Sequence, residues 1–201
     1  MLDGWARNRI DPGISLLAKA FARAGVRANA VTLAGLALGL AAAGLIAFGH
    51  FLPGLVMILA SRLCDGLDGA VARIHGKTDF GGYLDIVLDF AFYGAVPLGF
   101  IMFDPSANAV AGGFLLLAFY VNGASFLAYA VMAERRGLET DARGDKSLFF
   151  TTGLAEATET LIVFVLMCLF PAWFPVLAYA FAAVTAYTTL SRIVLAAREF
   201  G

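Results

Sequence analysis

The chain has 201 residues, of which 61% are hydrophobic and only 14% charged, with a mean hydropathy of +0.83. Soluble domains carry about a quarter charged residues, so this composition excludes an ordinary water-soluble domain and assigns the chain to a membrane. A formal net charge of −1 without a basic stripe among aromatics excludes nucleic-acid binding, and two cysteines without metal spacing, Cys64 and Cys168, exclude a disulfide framework.

The first 25 residues lack the uninterrupted apolar core and cleavage site of a signal peptide. Asp11 can cap a helix with Pro12 at its first position, and Ile14, Leu17, Ala18, Phe21 and Ala24 then recur at helical spacing. This predicts an amphipathic helix lying in the membrane surface within an N-terminal segment, 1–28. Residues 29–201 form the second unit, a six-helix transmembrane catalytic domain. Asn29 is placed to cap its first span, whose apolar run covers 31–48. Gly35 and Gly39 there form a small-xxx-small pair that predicts close helix packing.

Five further spans are predicted at 52–74, 80–103, 109–133, 146–170 and 173–196, with breaks at Pro53, Pro105 and Pro171. The expected fold is therefore all-α, six membrane spans preceded by an interfacial helix. Thirteen of the 14 Lys and Arg residues fall on one side of this arrangement, which predicts that both termini are cytoplasmic. Arg62 alone lies within a span.

Cys64 to Phe90 reads CDGLDGAVARIHGKTDFGGYLDIVLDF and places Asp65, Asp68, Asp85 and Asp89 in apolar surroundings. Residues three or four apart share a helix face, so Asp65 with Asp68 and Asp85 with Asp89 are same-face pairs. A turn around 76–78 lets the two helices bring all four together. Four carboxylates cannot all stay ionised without cations, and oxygen ligands favour hard ions such as Mg²⁺ or Mn²⁺ bridging a phosphorylated substrate. Arg62 and Arg73 could neutralise the acids in a purely structural cluster, but two guanidiniums leave the charge unbalanced. A cation or proton transporter is the rival of a different class; it predicts acids along a whole crossing, whereas these lie at one edge. Gly66, Gly69, Ala70 and Ala72 add little bulk, so a second helix or a pyrophosphate can approach the backbone.

Asp65-x-x-Asp68-Gly69-x-x-Ala72-Arg73, followed after seven residues by Gly81-x-x-x-Asp85-x-x-x-Asp89, resembles the signature of the CDP-alcohol phosphatidyltransferases. RANAVTLAGLALGL also resembles the opening of that family's first span. The resemblance implies an integral membrane enzyme of phospholipid synthesis, in a bacterial inner membrane, with its site on the cytoplasmic side. It would move a phosphatidyl group from CDP-diacylglycerol to the hydroxyl of a small alcohol and release CMP. The converse reaction, phosphoalcohol transfer from a CDP-alcohol to diacylglycerol, shares the motif.

By the same resemblance Asp65, Asp68 and Asp85 are ligands of two divalent ions, and Asp89 is the base as well as a member of the metal cluster. Gly66, Gly69, Arg73 and Gly81 would surround the cytidine diphosphate, and the protein would be a homodimer. For the acceptor, Arg143 and Lys146 would suit glycerol 3-phosphate or an inositol phosphate. Glu156 and Glu159, expected two or three turns inside the fifth span, would suit an amine-bearing alcohol or Arg62.

Overall fold

A computed structural model describes residues 3–137 and 155–201, with residues 3–12 as backbone alone. Among the described residues there are seven α-helices and no strand: α1 Asp3–Arg23, α2 Ala28–Ala47, α3 Phe51–His75, α4 Asp79–Phe103, α5 Pro105–Arg135, α6 Ala157–Leu169 and α7 Phe174–Phe200. A single 3₁₀ turn, Pro171–Trp173, leads into α7. The all-helical fold class and the order of apolar helices agree with the hydropathy pattern.

Among the described residues four segments are long and apolar enough to cross a bilayer: α2, α4, α5 and the 3₁₀ turn with α7. Helix α3 has 25 residues but carries Arg62, Asp65, Asp68 and Arg73, and its polarity keeps it out of that set. The fifth expected span is described only from α6, whose 13 residues are too few to span.

Two expected starts are corrected. Helix α1 runs unbroken from Asp3, so Asp11 and Pro12 lie within it, helical residues on both sides outweighing the local stop signal. Helix α2 begins at Ala28 with Arg27 at its N-cap position, which puts Asn29 inside the first turn. Other ends follow the sequence. Thr78 caps α4 by accepting from the Gly81 amide at 3.0 Å. Asp104 caps α5 by accepting from the Ala107 amide at 3.1 Å and the Ser106 hydroxyl at 2.6 Å. Those two bonds hold its carboxyl below the ordinary aspartate range.

In lipid the helices gain little from burying apolar surface, so packing falls to small residues that let backbones meet. A Cβ on Gly35 would meet Cys64 Cβ at 3.2 Å, and one on Gly39 would meet the Phe92 ring at 2.5 Å. The pair seats α2 against α3 and α4, as its spacing predicts. Gly99 lets α4 reach the Ala43 backbone of α2 in the same way. The shared core holds Ile46, Ile58, Phe92, Phe100 and Phe164. Phe100 stacks on Phe51 and on Phe174, with ring centroids 5.8 and 4.8 Å away.

Helix α1 rests on α3. Ala18 is buried with Leu67, Ala70 and Val71, and Ile14 Cδ1 lies 3.0 Å from where a Gly66 Cβ would stand. Leu16, Leu17 and Phe21 remain exposed, giving α1 an apolar face beyond its contact with α3.

Candidate active site

Helix α3 ends at His75, and Gly76, at φ +99°, turns the chain into α4 after two more residues. A positive φ of this size is strained for residues with a side chain, which explains the glycine. The short reversal makes α3 and α4 neighbours and brings their acids together. One carboxylate oxygen from each of Asp65, Asp85 and Asp89 lies within 4.8 Å of the other two.

Asp68 stands slightly apart from the triad. It is 5% exposed and its Oδ2 is buried without a hydrogen-bond partner. Leaving such an atom unpaired costs about 1–3 kcal/mol, a cost that a cation ligated there would offset. A small cavity of about 10 Å³ lies among α2, α3 and α4, lined by all four aspartates with Thr32, Ser61 and Arg62. That is space for about one water-sized particle. Oxygen-only donors, convergence within 4.8 Å and an orphaned buried carboxylate oxygen fit a hard divalent ion.

Arg62 enters this cluster from one turn before Asp65. Its Nη1 donates to Asp89 Oδ1 at 2.7 Å and lies 3.5 Å from Asp65 Oδ1. The guanidinium carbon sits 3.8 Å from the Phe92 ring centroid and 5.5 Å from that of Tyr93. Nη2 reaches Ser61 Oγ at 3.4 Å, and Ser61 donates to the Gly35 carbonyl at 2.7 Å. The sequence reading gave Arg62 as a neutralising charge and as a partner for Glu156 and Glu159, not as a hydrogen-bond donor to Asp89. Its position three residues before Asp65, on the same helical face, was the available signal.

The glycines divide. Gly69 has open space apart from Arg73 Nη1, 3.8 Å from its would-be Cβ, so both can meet a ligand. Gly66 faces Ile14 of α1, and Ala70 is buried in the same contact, which makes their smallness a packing need. Gly81 stands in a tight place, because a Cβ would meet Thr78 Oγ1 at 2.9 Å and Asn29 Oδ1 at 3.2 Å, so a larger residue would have to displace those side chains.

The acceptor candidates are only partly in view. Arg143 and Lys146 lie outside the described residues. Glu156 and Glu159 are not two or three turns deep: Glu156 occupies the N-cap position of α6 and Glu159 its first turn. There the helix dipole favours negative charge, so neither needs a buried cation to explain it. A polar bridge between α5 and α7 went unforeseen. Arg192 Nη1 donates to the Asn122 carbonyl and to Asn122 Oδ1, both at 3.0 Å, and to Ser125 Oγ at 2.7 Å.

Fold and site together define a membrane protein, all-helical among the described residues, with a cluster of carboxylates at the junction of two helices. The family model for CDP-alcohol phosphatidyltransferase matches residues 26–195, and the chain belongs to that family. It is 46% identical to the inner membrane protein YnjF of Escherichia coli over 193 residues, 96% of this chain and 94% of that one. It is 32% identical over 147 residues to archaetidylinositol phosphate synthase of Methanothermobacter thermautotrophicus, 70% of this chain and 65% of that protein.

Among solved structures, phosphatidylinositol phosphate synthase of Mycobacterium tuberculosis with CDP-DAG bound matches at TM-score 0.71 and 26% identity, covering 90% of this chain and 91% of that one. The same synthase with manganese and citrate matches at TM-score 0.72 and 25% identity, covering 90% and 87%.

Proposed function

We propose that this chain transfers a phosphatidyl group from CDP-diacylglycerol to the hydroxyl of a small alcohol and releases CMP. The observation that carries the reading is the convergence of Asp65, Asp85 and Asp89 beside Asp68, whose buried Oδ2 has no hydrogen-bond partner, in a chain whose solved relatives hold CDP-DAG or manganese.

Asp65, Asp68 and Asp85 are the proposed ligands of Mg²⁺ or Mn²⁺, two ions in the complete site, with Asp89 at its border. Divalent ions would supply charge compensation on the diphosphate and on the departing phosphate oxygen. Gly69 and Arg73 hold the cytidine diphosphate, the glycine by allowing close approach and the arginine by paired donors to phosphate oxygen. Gly66 and Gly81 shape the same region through the helices they let pack. Asp89 accepts the proton of the acceptor hydroxyl. The acceptor oxygen then bonds to the phosphorus of the phosphatidyl group as its bond to the oxygen leaving with CMP breaks.

The names of two relatives favour an inositol phosphate as acceptor over glycerol 3-phosphate. Arg143 and Lys146 remain the proposed holders of its phosphate, and Glu156 and Glu159 flank the start of α6 as further acceptor contacts. Six spans, an interfacial α1, a homodimer, and a site and termini facing the cytoplasm complete the reading, with the charge distribution supporting the orientation. The transporter alternative has no support in a family of transferases.

Purified protein incubated with CDP-diacylglycerol, Mg²⁺ or Mn²⁺ and each candidate alcohol should release CMP with one of them. Release only from a CDP-alcohol in the presence of diacylglycerol would reverse the direction to phosphoalcohol transfer.

A further inference from the structure

We propose that Arg62 is a positioning residue of the metal site: it competes with divalent ions for Asp65 and Asp89 and holds the Asp89 carboxylate out of the ligand set. The inference rests on the metal-site reading above and adds a resident cation to it. Asp89 has an oxygen close enough to those of Asp65 and Asp85 to share an ion with them. An Asp89 committed to a metal could not also take a proton from the acceptor. Something must distinguish it from its neighbours, and Arg62 makes the distinction. Its Nη1 is 2.7 Å from Asp89 Oδ1 but 3.5 Å from Asp65 Oδ1, a hydrogen bond to one and a looser ion pair to the other.

Arg62 is also held in a way that a mobile counter-charge would not be. Its side chain is 14% exposed, and its planar end lies 3.8 Å from the Phe92 ring centroid. Ser61 Oγ, itself anchored on the Gly35 carbonyl, approaches Nη2 at 3.4 Å. Guanidinium has the flat shape for ring stacking and the forked donors for carboxylate, whereas an ammonium has only the charge. Arg62 is thus fixed from behind by α4 and directed at two of the four acids. Formally the cluster carries four negative charges and one resident positive charge, so an incoming dication meets a weaker field than the carboxylates alone would give.

The test titrates Mn²⁺ into detergent-purified protein without nucleotide, following free Mn²⁺ by electron paramagnetic resonance, beside CMP-release kinetics. Arg62→Gln should bind Mn²⁺ at least about tenfold more tightly than wild type. Its kcat should fall by at least about tenfold while the KM for CDP-diacylglycerol moves little. Arg62→Lys should bring Mn²⁺ affinity back toward wild type and recover turnover only in part. Arg62→Met, which keeps apolar bulk beside Phe92, carries the same expectation as Arg62→Gln should that variant not fold. A merely structural role would not tighten ion binding. Wild type that binds Mn²⁺ beside variants that bind it equally or less tightly would overturn the role of Arg62 alone. Failure of wild type to bind Mn²⁺ at all would overturn the metal-site reading and this inference together.

Discussion

Ser61 Oγ donates to the main-chain carbonyl of Gly35 at 2.7 Å, joining α3 to α2 at the wall of the acidic cavity. The bond is buried, and the absence of a side chain on Gly35 is what permits the approach. One turn along α2, Gly39 receives the edge of Phe92, the ring beneath Arg62. Gly39→Val should therefore cost about 1–3 kcal/mol by overpacking. It should also lower CMP release beyond the loss of folded protein, since displacing Phe92 shifts Arg62. Thermal unfolding in detergent and specific activity of the folded fraction check the two parts.

Activity should require a divalent ion, and Asp65→Asn, Asp68→Asn and Asp85→Asn should each raise the metal concentration needed for half-maximal rate. Each replacement removes an anionic oxygen ligand while keeping the side-chain size. Metal titration of CMP release measures this. Full activity in excess chelator would end the metal reading.

Asp89→Asn should behave differently. It removes the proton acceptor but leaves the other three acids, so turnover should fall by about 10²-fold to 10⁴-fold while CDP-diacylglycerol affinity changes much less. Asp85→Asn should damage both. If Asp89→Asn abolishes metal-dependent lipid binding and spares turnover at saturation, Asp89 is a ligand and not the base.

The two ends of the helix set should differ in access. Lys77, in the turn before α4, and Ser106, in the first turn of α5 just past the other end of α4, are both exposed. In intact cells a single cysteine introduced at Lys77 should be shielded from an impermeant reagent, and one at Ser106 should react. The charge asymmetry of the chain sets this expectation. The reverse pattern would put the acids on the side without cytosolic nucleotide.

Much of this arrangement was legible in the sequence because the governing signals are local. Apolar runs mark the helices, and the short polar stretch around 76–78 marks the turn that pairs Asp65 with Asp85, where the structure adds the positive φ of Gly76 and the Thr78 cap. What escaped depends on partners distant in sequence. The stacking of Arg62 on Phe92 and the bridge from Arg192 to Asn122 join different helices, and no periodicity within one helix reveals them. The depth of Glu156 and Glu159 was misjudged for a related reason. Hydropathy alone does not say where an apolar segment becomes helical, and α6 begins at Ala157.

The polarity of α3 bears on how the protein is made. Arg62, Asp65 and Asp68 lie within seven residues of one helix, and a single charge at the centre of an inserting helix costs about 2.5–3.5 kcal/mol on translocon scales. A segment with three such groups should stall at the translocon by itself. Paired with α2, which carries no charged residue and meets it through Gly35, the same segment enters with Ser61 already bonded and its acids facing a protein wall. In an insertion assay α3 alone should stay outside the bilayer while an α2–α3 hairpin inserts. Gly35→Val should weaken that rescue, because a side chain there would meet Cys64 Cβ of α3 at 3.2 Å. The helix bearing the chemistry would thus be the one whose entry depends on the company it keeps during synthesis.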